Sequence, residues 1–195
     1  ANPEWTVVQV NLEIARLNRQ QVEDESLALE HLVTIANATG DVRARYMSGI
    51  LQFNSGEIDG AHSSFQQVVD ADPNDAYAEY YLGQIEQQRG DTQAAIDRYE
   101  RAMELDPYLR SAIYGASQSA RRLGLNERAK ELLALFQAMD GNPQARLAEI
   151  KYTRMGPKAM TVVADAESTS PQIIPEGPLF AASIAVEGGA SFSQR

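Results

Sequence analysis

Glycine recurs at 56, 90 and 124, a spacing of 34 residues. Around it recurs a fixed set of side-chain sizes. Alanine follows each glycine by five positions, at Ala61, Ala95 and Ala129, and a large apolar residue follows by nine, at Phe65, Tyr99 and Leu133. A small residue precedes each by seven, at Gly49, Gly83 and Ser117. Asp72–Pro73 and Asp106–Pro107 close two units, Asp140 holds the third aspartate, and Pro143 arrives two residues late. Three units therefore run in phase, 42–75, 76–109 and 110–143. A period of this length marks stacked supersecondary units, none of which can bury its apolar face alone.

Each unit reads as helix, tight turn, helix. The glycine at 56, 90 or 124 falls between two helical patterns, where a left-handed residue costs a β-carbon most. Glycine within a helix costs up to about 1 kcal/mol of propensity. Gly49 and Gly83 accept that cost where two helices must approach closely, and Ala61, Ala95 and Ala129 lie on the facing helix. Phe65, Tyr99 and Leu133 sit about one turn further on and fill the space between units. The prolines end the second helix of a unit. Asp75 suits the N-cap of the next.

The stretch YYLGQIEQQRGDTQAAIDRYERAMELDP (80–107) resembles a tetratricopeptide repeat through Leu82, Gly83, Gly90, Ala95, Tyr99, Ala102 and Pro107. It departs at Glu79, where tryptophan is usual, and at Glu86, where tyrosine is usual. The first unit keeps Gly49, Gly56, Ala61, Phe65 and Pro73 but has Ser48 for the leucine. The third keeps Ala116, Ser117, Gly124 and Ala129, with no proline in register. The resemblance implies an all-α, right-handed superhelical solenoid of antiparallel helix pairs. It also implies a concave groove, lined by the first helix of each unit, that holds another protein or peptide segment. Carried across by position, the groove takes Arg43, Tyr46, Ile50, Phe53 and Asn54 from the first unit. It takes Tyr77, Tyr80, Gln84, Gln87 and Gln88 from the second, and Ser111, Tyr114, Gln118, Arg121 and Arg122 from the third. Tyr46, Tyr80 and Tyr114 form a ladder at the 34-residue spacing. A tyrosine combines a rigid apolar body with a polar tip, which suits peptide recognition. The family's chaperone-binding carboxylate clamp is absent, because its lysine and asparagine positions carry Tyr46, Ile50, Tyr80 and Gln84.

The flanks follow helical patterns of their own. Residues 3–18 and 24–38 read as two helices, starting at Asp24 and stopping at Gly40 for the second. Leu27 falls where the small residue belongs, so 1–41 is either a degenerate repeat or a capping hairpin covering the apolar end of the array. Ala145, Leu147, Ala148, Ile150 and Tyr152 predict a single solvating helix over 144–155, the ninth in all. A boundary is expected at about Gly156. Beyond it, 156–195 is a Pro/Gly/Ala/Ser-rich tail with short apolar runs. The second reading of the chain rests there: a structural or assembly subunit whose extended tail docks on a neighbouring subunit, or leads into another domain such as a β-propeller. Homo-oligomerisation through the tail stays open.

Chemistry is sparse. There is no cysteine, and His31 and His62 stand without a second ligand at metal spacing. Asp70, Asp72 and Asp75 are spaced loosely like a calcium loop but lack its glycine and final glutamate. No nucleophile elbow or phosphate loop occurs, so no catalytic residue, metal or cofactor is expected. Seventeen basic against 27 acidic residues, net −10, disfavour nucleic acid and anionic membranes. No apolar run is long enough to span a bilayer, and no signal peptide is expected to remain uncleaved. The chain opens on Ala1 rather than methionine. A periplasmic or other extracytoplasmic setting after signal-peptide removal is therefore open beside a cytoplasmic one.

Overall fold

In the computed structural model, residues 3–18, 24–150 and 154–162 are described. They form eight α-helices and one 3-10 turn: α1 (Pro3–Leu17), α2 (Asp24–Thr39), α3 (Val42–Ser55), α4 (Ile58–Ala71), α5 (Ala76–Arg89), α6 (Thr92–Leu105), α7 (Arg110–Arg122), α8 (Asn126–Ala138) and the turn Pro157–Ala159. Helices adjacent in sequence pack as antiparallel neighbours, giving four stacked hairpins in a superhelical solenoid.

The helix ends follow from local chemistry. Asp41, Asp75 and Asp91 are N-caps whose carboxylates accept from the backbone N–H groups of Ala44, of Tyr77 and Ala78, and of Ala94. Gly56 and Gly90 close α3 and α5 in the left-handed region at φ 83° and 85°, as expected from their positions.

The repeat positions interlock as their sizes imply. The rings of Phe65 and Tyr99 are fully buried, and they lie against Gly49 and Gly83. A β-carbon on Gly49 would sit 3.0 Å from Phe65, and one on Gly83 would sit 2.7 Å from Tyr99. The next unit closes the other side. Tyr81 stacks on Phe65 at 5.0 Å between centroids and 11° between planes. Gly115 meets Tyr99, where a β-carbon would sit 2.6 Å from the ring. The two departures from the repeat pattern are served by polar contacts. Glu79 pairs with Arg98 at 3.0 Å, and Glu86 pairs with His62 at 2.9 Å. Each ties neighbouring helices where an aromatic ring would otherwise pack.

In the N-terminal hairpin the buried positions are offset by one residue from the 34-residue phase. Ala28 and Leu32, both fully buried, stand 33 residues before Ala61 and Phe65. The offset leaves Leu27 41% exposed, although the 34-residue phase places it at the small position. His31 pairs with Glu13 of α1 at 2.9 Å.

The solvating helix expected over 144–155 does not form in its described residues, 144–150 and 154–155. Residues 145–150 run extended against the start of α7. Arg146 N–H donates to Tyr108 O and Arg146 O accepts from Arg110 N–H, both at 2.8 Å, in a parallel bridge between Leu109 and Arg146. Its guanidinium binds Asp106 at 2.7 Å. These non-local bonds satisfy the backbone groups a helix would have paired internally. The boundary expected at Gly156 also falls inside a packed stretch, since residues 154–162 lie on the array. The runs TVVADA (beyond Val162), QIIP and PLFAASIAV, and with them the tail-docking reading, lie outside the described residues.

Candidate functional site

The concave side of α3, α5 and α7 is already in contact with a peptide, and that peptide belongs to the same chain. After α8 the chain turns back across the first helices, from the third unit towards the N-terminal hairpin. Residues 145–150 and 154–162 form this strap. Its backbone carbonyls are held at seven-residue steps. Ala148 O accepts from Ser111 Oγ at 3.3 Å and from the Tyr80 hydroxyl at 3.5 Å. Met155 O accepts a short bond from the Tyr46 hydroxyl. Val162 O accepts from Asn11 Nδ2 at 2.6 Å, and Val162 N–H donates to Asn11 Oδ1 at 3.2 Å. Ser111 Oγ also accepts from Ala148 N–H at 2.9 Å. Arg43 donates to Met160 O at 2.6 Å and to Asn11 Oδ1 at 3.1 Å.

One side chain of the strap is read specifically. The Lys158 ammonium lies 2.5 Å from Asp72 and 2.8 Å from Asp75. Asp75 thus does two jobs, one carboxylate oxygen capping α5 and the other holding Lys158. Burial pulls the Lys158 pKa down, but hydrogen bonds and charge from the two aspartates outweigh it and leave it raised. The hydrogen bond from Lys158 leads the causes that lower Asp72. Gly156 marks the closest approach. At φ 109° it lies flat on the tyrosines, and a β-carbon there would sit 2.5 Å from the Tyr46 hydroxyl and 3.0 Å from the Tyr77 ring.

The residues expected to line the groove divide into four groups. Arg43, Tyr46, Tyr77, Tyr80 and Ser111 lie under the strap. Ile50 is fully buried core, closed to a ligand, and Phe53 is half-buried against Tyr81. Asn54, on the α2 side, donates to Glu25 at 3.3 Å, while Gln88, Arg121 and Arg122 are exposed. The remaining four build an open pocket between the second and third units. It has a volume of about 250 Å³ and is lined by Tyr80, Gln84, Gln87, Tyr114 and Gln118 with Phe136 and Leu147 among others. The tyrosine–glutamine pair repeats within it. Gln84 donates to the Tyr80 hydroxyl at 2.5 Å, and Gln118 donates to that of Tyr114 at 2.6 Å. Tyr114 remains 45% exposed. Asn11, Asp72, Asp75, Gly156 and Lys158 escaped the sequence-based assignment of the site.

Burial fixes the phenols as neutral donors. Desolvation is the leading cause that raises Tyr46, Tyr77, Tyr80, Tyr81 and Tyr99 above the ordinary phenol value. The sign follows: stability from these groups is complete below the ordinary phenol pKa and is lost as pH rises through the raised values. Of the chain's eight tyrosines, Tyr46, Tyr81 and Tyr99, which burial raises furthest, should ionise only as the helices melt. Absorbance at 295 nm followed alongside circular dichroism checks this; ordinary ionisation of all eight with the helices intact would contradict it.

A stack of helical hairpins with a peptide lying along its concave face defines a repeat scaffold for protein–protein interaction. Residues 46–109 match the tetratricopeptide repeat family. Its fold is shared with solved structures of MamA. One is 21% identical, with a TM-score of 0.63 over 72% of this chain and 81% of that one. Another, MamA AMB-1, is 20% identical, with a TM-score of 0.59 over 67% and 70%. The type III secretion translocator chaperone SycD of Yersinia enterocolitica is 25% identical, with a TM-score of 0.50 over 53% of this chain and 79% of its own. No curated protein matches the chain. Among the described residues no helix is long and apolar enough to cross a membrane.

Proposed function

We propose that this chain is a non-catalytic binding module whose concave groove takes an extended peptide segment of a partner protein. The observation that carries this reading is the way Tyr46, Tyr80, Ser111 and Arg43 donate to backbone carbonyls of the strap. Donors aimed at peptide carbonyls recognise main chain rather than one side chain, so the same surface suits a segment supplied by another protein. The open pocket at Tyr80 and Tyr114 is the accessible part of that surface. It repeats the tyrosine–glutamine pair and adds apolar walls from Phe136 and Leu147. The likeness to a secretion translocator chaperone is in keeping with a protein that works on other proteins.

A display library of random 12-residue peptides screened on the full chain tests the reading. Selected peptides should lose at least about tenfold in affinity when Tyr80→Ala and Gln84→Ala are combined. That corresponds to roughly 1.4 kcal/mol, the scale of one or two net hydrogen bonds. Peptides indifferent to this pair and to Tyr114→Ala would place recognition elsewhere and remove the groove reading.

A further inference from the structure

Equivalent positions of the three repeats differ in burial at one end only. Ala61 and Ala95 are fully buried, as are Phe65 and Tyr99. Ala129 is half-buried, and Leu133 is 40% exposed. In the first two units the cover is the first helix of the following unit, which brings Tyr81 onto Phe65 and Gly115 onto Tyr99. After α8 the described chain turns into the concave groove instead and leaves this side of α7 and α8 uncovered. The open groove measures about 600 Å³. Tyr114, Ser117, Ala129 and Leu133 line it with Arg121, and with Lys130 paired to Glu127 at 2.7 Å.

The opposite end carries the matching element. On α1, Trp5, Val8 and Leu12 are 66%, 49% and 57% exposed, and Ala15 is exposed beside them. Their spacing of three, four and three residues puts them on one stripe. That stripe lies on the far side of the helix from Val10 and Ile14, which α1 buries in the array. Three large apolar side chains in one exposed stripe mark a contact surface rather than scattered exposure. Charge favours the same pairing. Residues 1–41 carry seven acidic against two basic side chains, whereas residues 110–143 carry five basic against three acidic.

We propose that the chain associates with itself head to tail: the apolar stripe of α1 in one copy seats in the α7–α8 groove of the next and serves as the first helix of a fourth repeat. The contact continues the packing that already joins unit to unit. It joins two different surfaces, so it propagates into open chains or closed rings rather than stopping at a two-fold dimer.

The test uses the full chain in sedimentation velocity over a range of concentrations. The wild-type protein should grow past the dimer as concentration rises. Leu12→Glu, which breaks only the stripe, and Leu133→Glu, which breaks only the groove, should each remain monomeric. An equimolar mixture of the two should stop at a dimer, because one intact stripe meets one intact groove and both outer ends are blocked. Both positions are exposed, and wild-type circular dichroism identifies folded variants. Val8→Lys and Ala129→Arg are the replacements if either misfolds. A wild-type protein that stays monomeric, as it would if the segment after Val162 covered either face, overturns the proposal. So does a wild-type dimer that does not grow, or assembly that survives both substitutions.

Discussion

Tyr99→Ala should destabilise the fold by about 3–5 kcal/mol, the range for removing a fully buried aromatic side chain. Tyr99 has no exposed surface, and its ring is flanked by Gly83 and Gly115. Neither glycine has a side chain that can move into the space, so the cavity stays open and the cost falls at the upper part of the range. The second and third units lose their shared contact at the same time. Urea unfolding gives the free energy directly, and the melting temperature should fall by roughly 10 °C or more for an array of this size. The control lies at the same repeat position one unit on. Leu133→Ala in dilute solution should cost only about 1 kcal/mol or less, because 40% of that side chain already faces water. Equal losses at the two positions would mean that repeat phase, rather than burial, sets stability, and the packing argument would fail.

The repeat was legible because its information is local and periodic. Residue size at fixed offsets determined which backbones approach, and Gly49, Gly83, Phe65 and Tyr99 meet as their spacing implied. Asp75 as a cap and Gly56 and Gly90 as helix ends were legible for the same reason. The strap was not. Ala145, Leu147, Ala148 and Ile150 are spaced as a helix face, yet the backbone of Arg146 between them pairs with Tyr108 and Arg110, and that of Ala148 pairs with the Ser111 hydroxyl, all outside any local window. Lys158 and Asp72 are separated by 86 residues, and each reads alone as an ordinary tail or turn residue. Asp72 and Asp75 drew attention as a loose calcium-like spacing, whereas the cation they hold is an ammonium of the same chain. The tyrosine ladder was located by its period. The period could not say that Tyr46 and Tyr80 would be covered in cis while Tyr114 stayed open. That distinction depends on where the strap enters the groove, between Arg146 and Ala148. Gly115 escaped notice because its role appears only once Tyr99 is seen to reach across to the next unit.

Gly156→Ala should release the strap from the first-unit half of the groove. At φ 109° the native conformation is one that residues other than glycine rarely adopt. The added β-carbon would also sit 2.5 Å from the Tyr46 hydroxyl and 3.0 Å from the Tyr77 ring. Strain of this kind costs about 1–3 kcal/mol, which raises the open fraction by a factor on the order of 10–100. Tryptic cleavage of the Lys158–Ala159 bond reports that fraction when opening is fast compared with cleavage. In the closed state Lys158 is held by two aspartates and Ala159 is buried, so the bond resists attack. It should be cut about 10–100 times faster in Gly156→Ala, with helix content unchanged. Gly141→Ala supplies the control, since Gly141 also has a positive φ, 75°, but nothing lies within 4 Å of its β-carbon position. It should leave cleavage at Lys158 near the wild-type rate. Wild-type cleavage in both variants would mean that the strap does not depend on the approach at Gly156. A released strap also bears on binding. A groove filled in cis reduces the apparent affinity for any competing segment to the intrinsic affinity multiplied by the fraction of time it is open. A synthetic peptide of residues 154–162 should therefore bind Gly156→Ala more tightly than the wild-type chain, by about the same factor as the gain in cleavage. Tighter binding without faster cleavage, or the reverse, would show that the peptide and the strap occupy different surfaces.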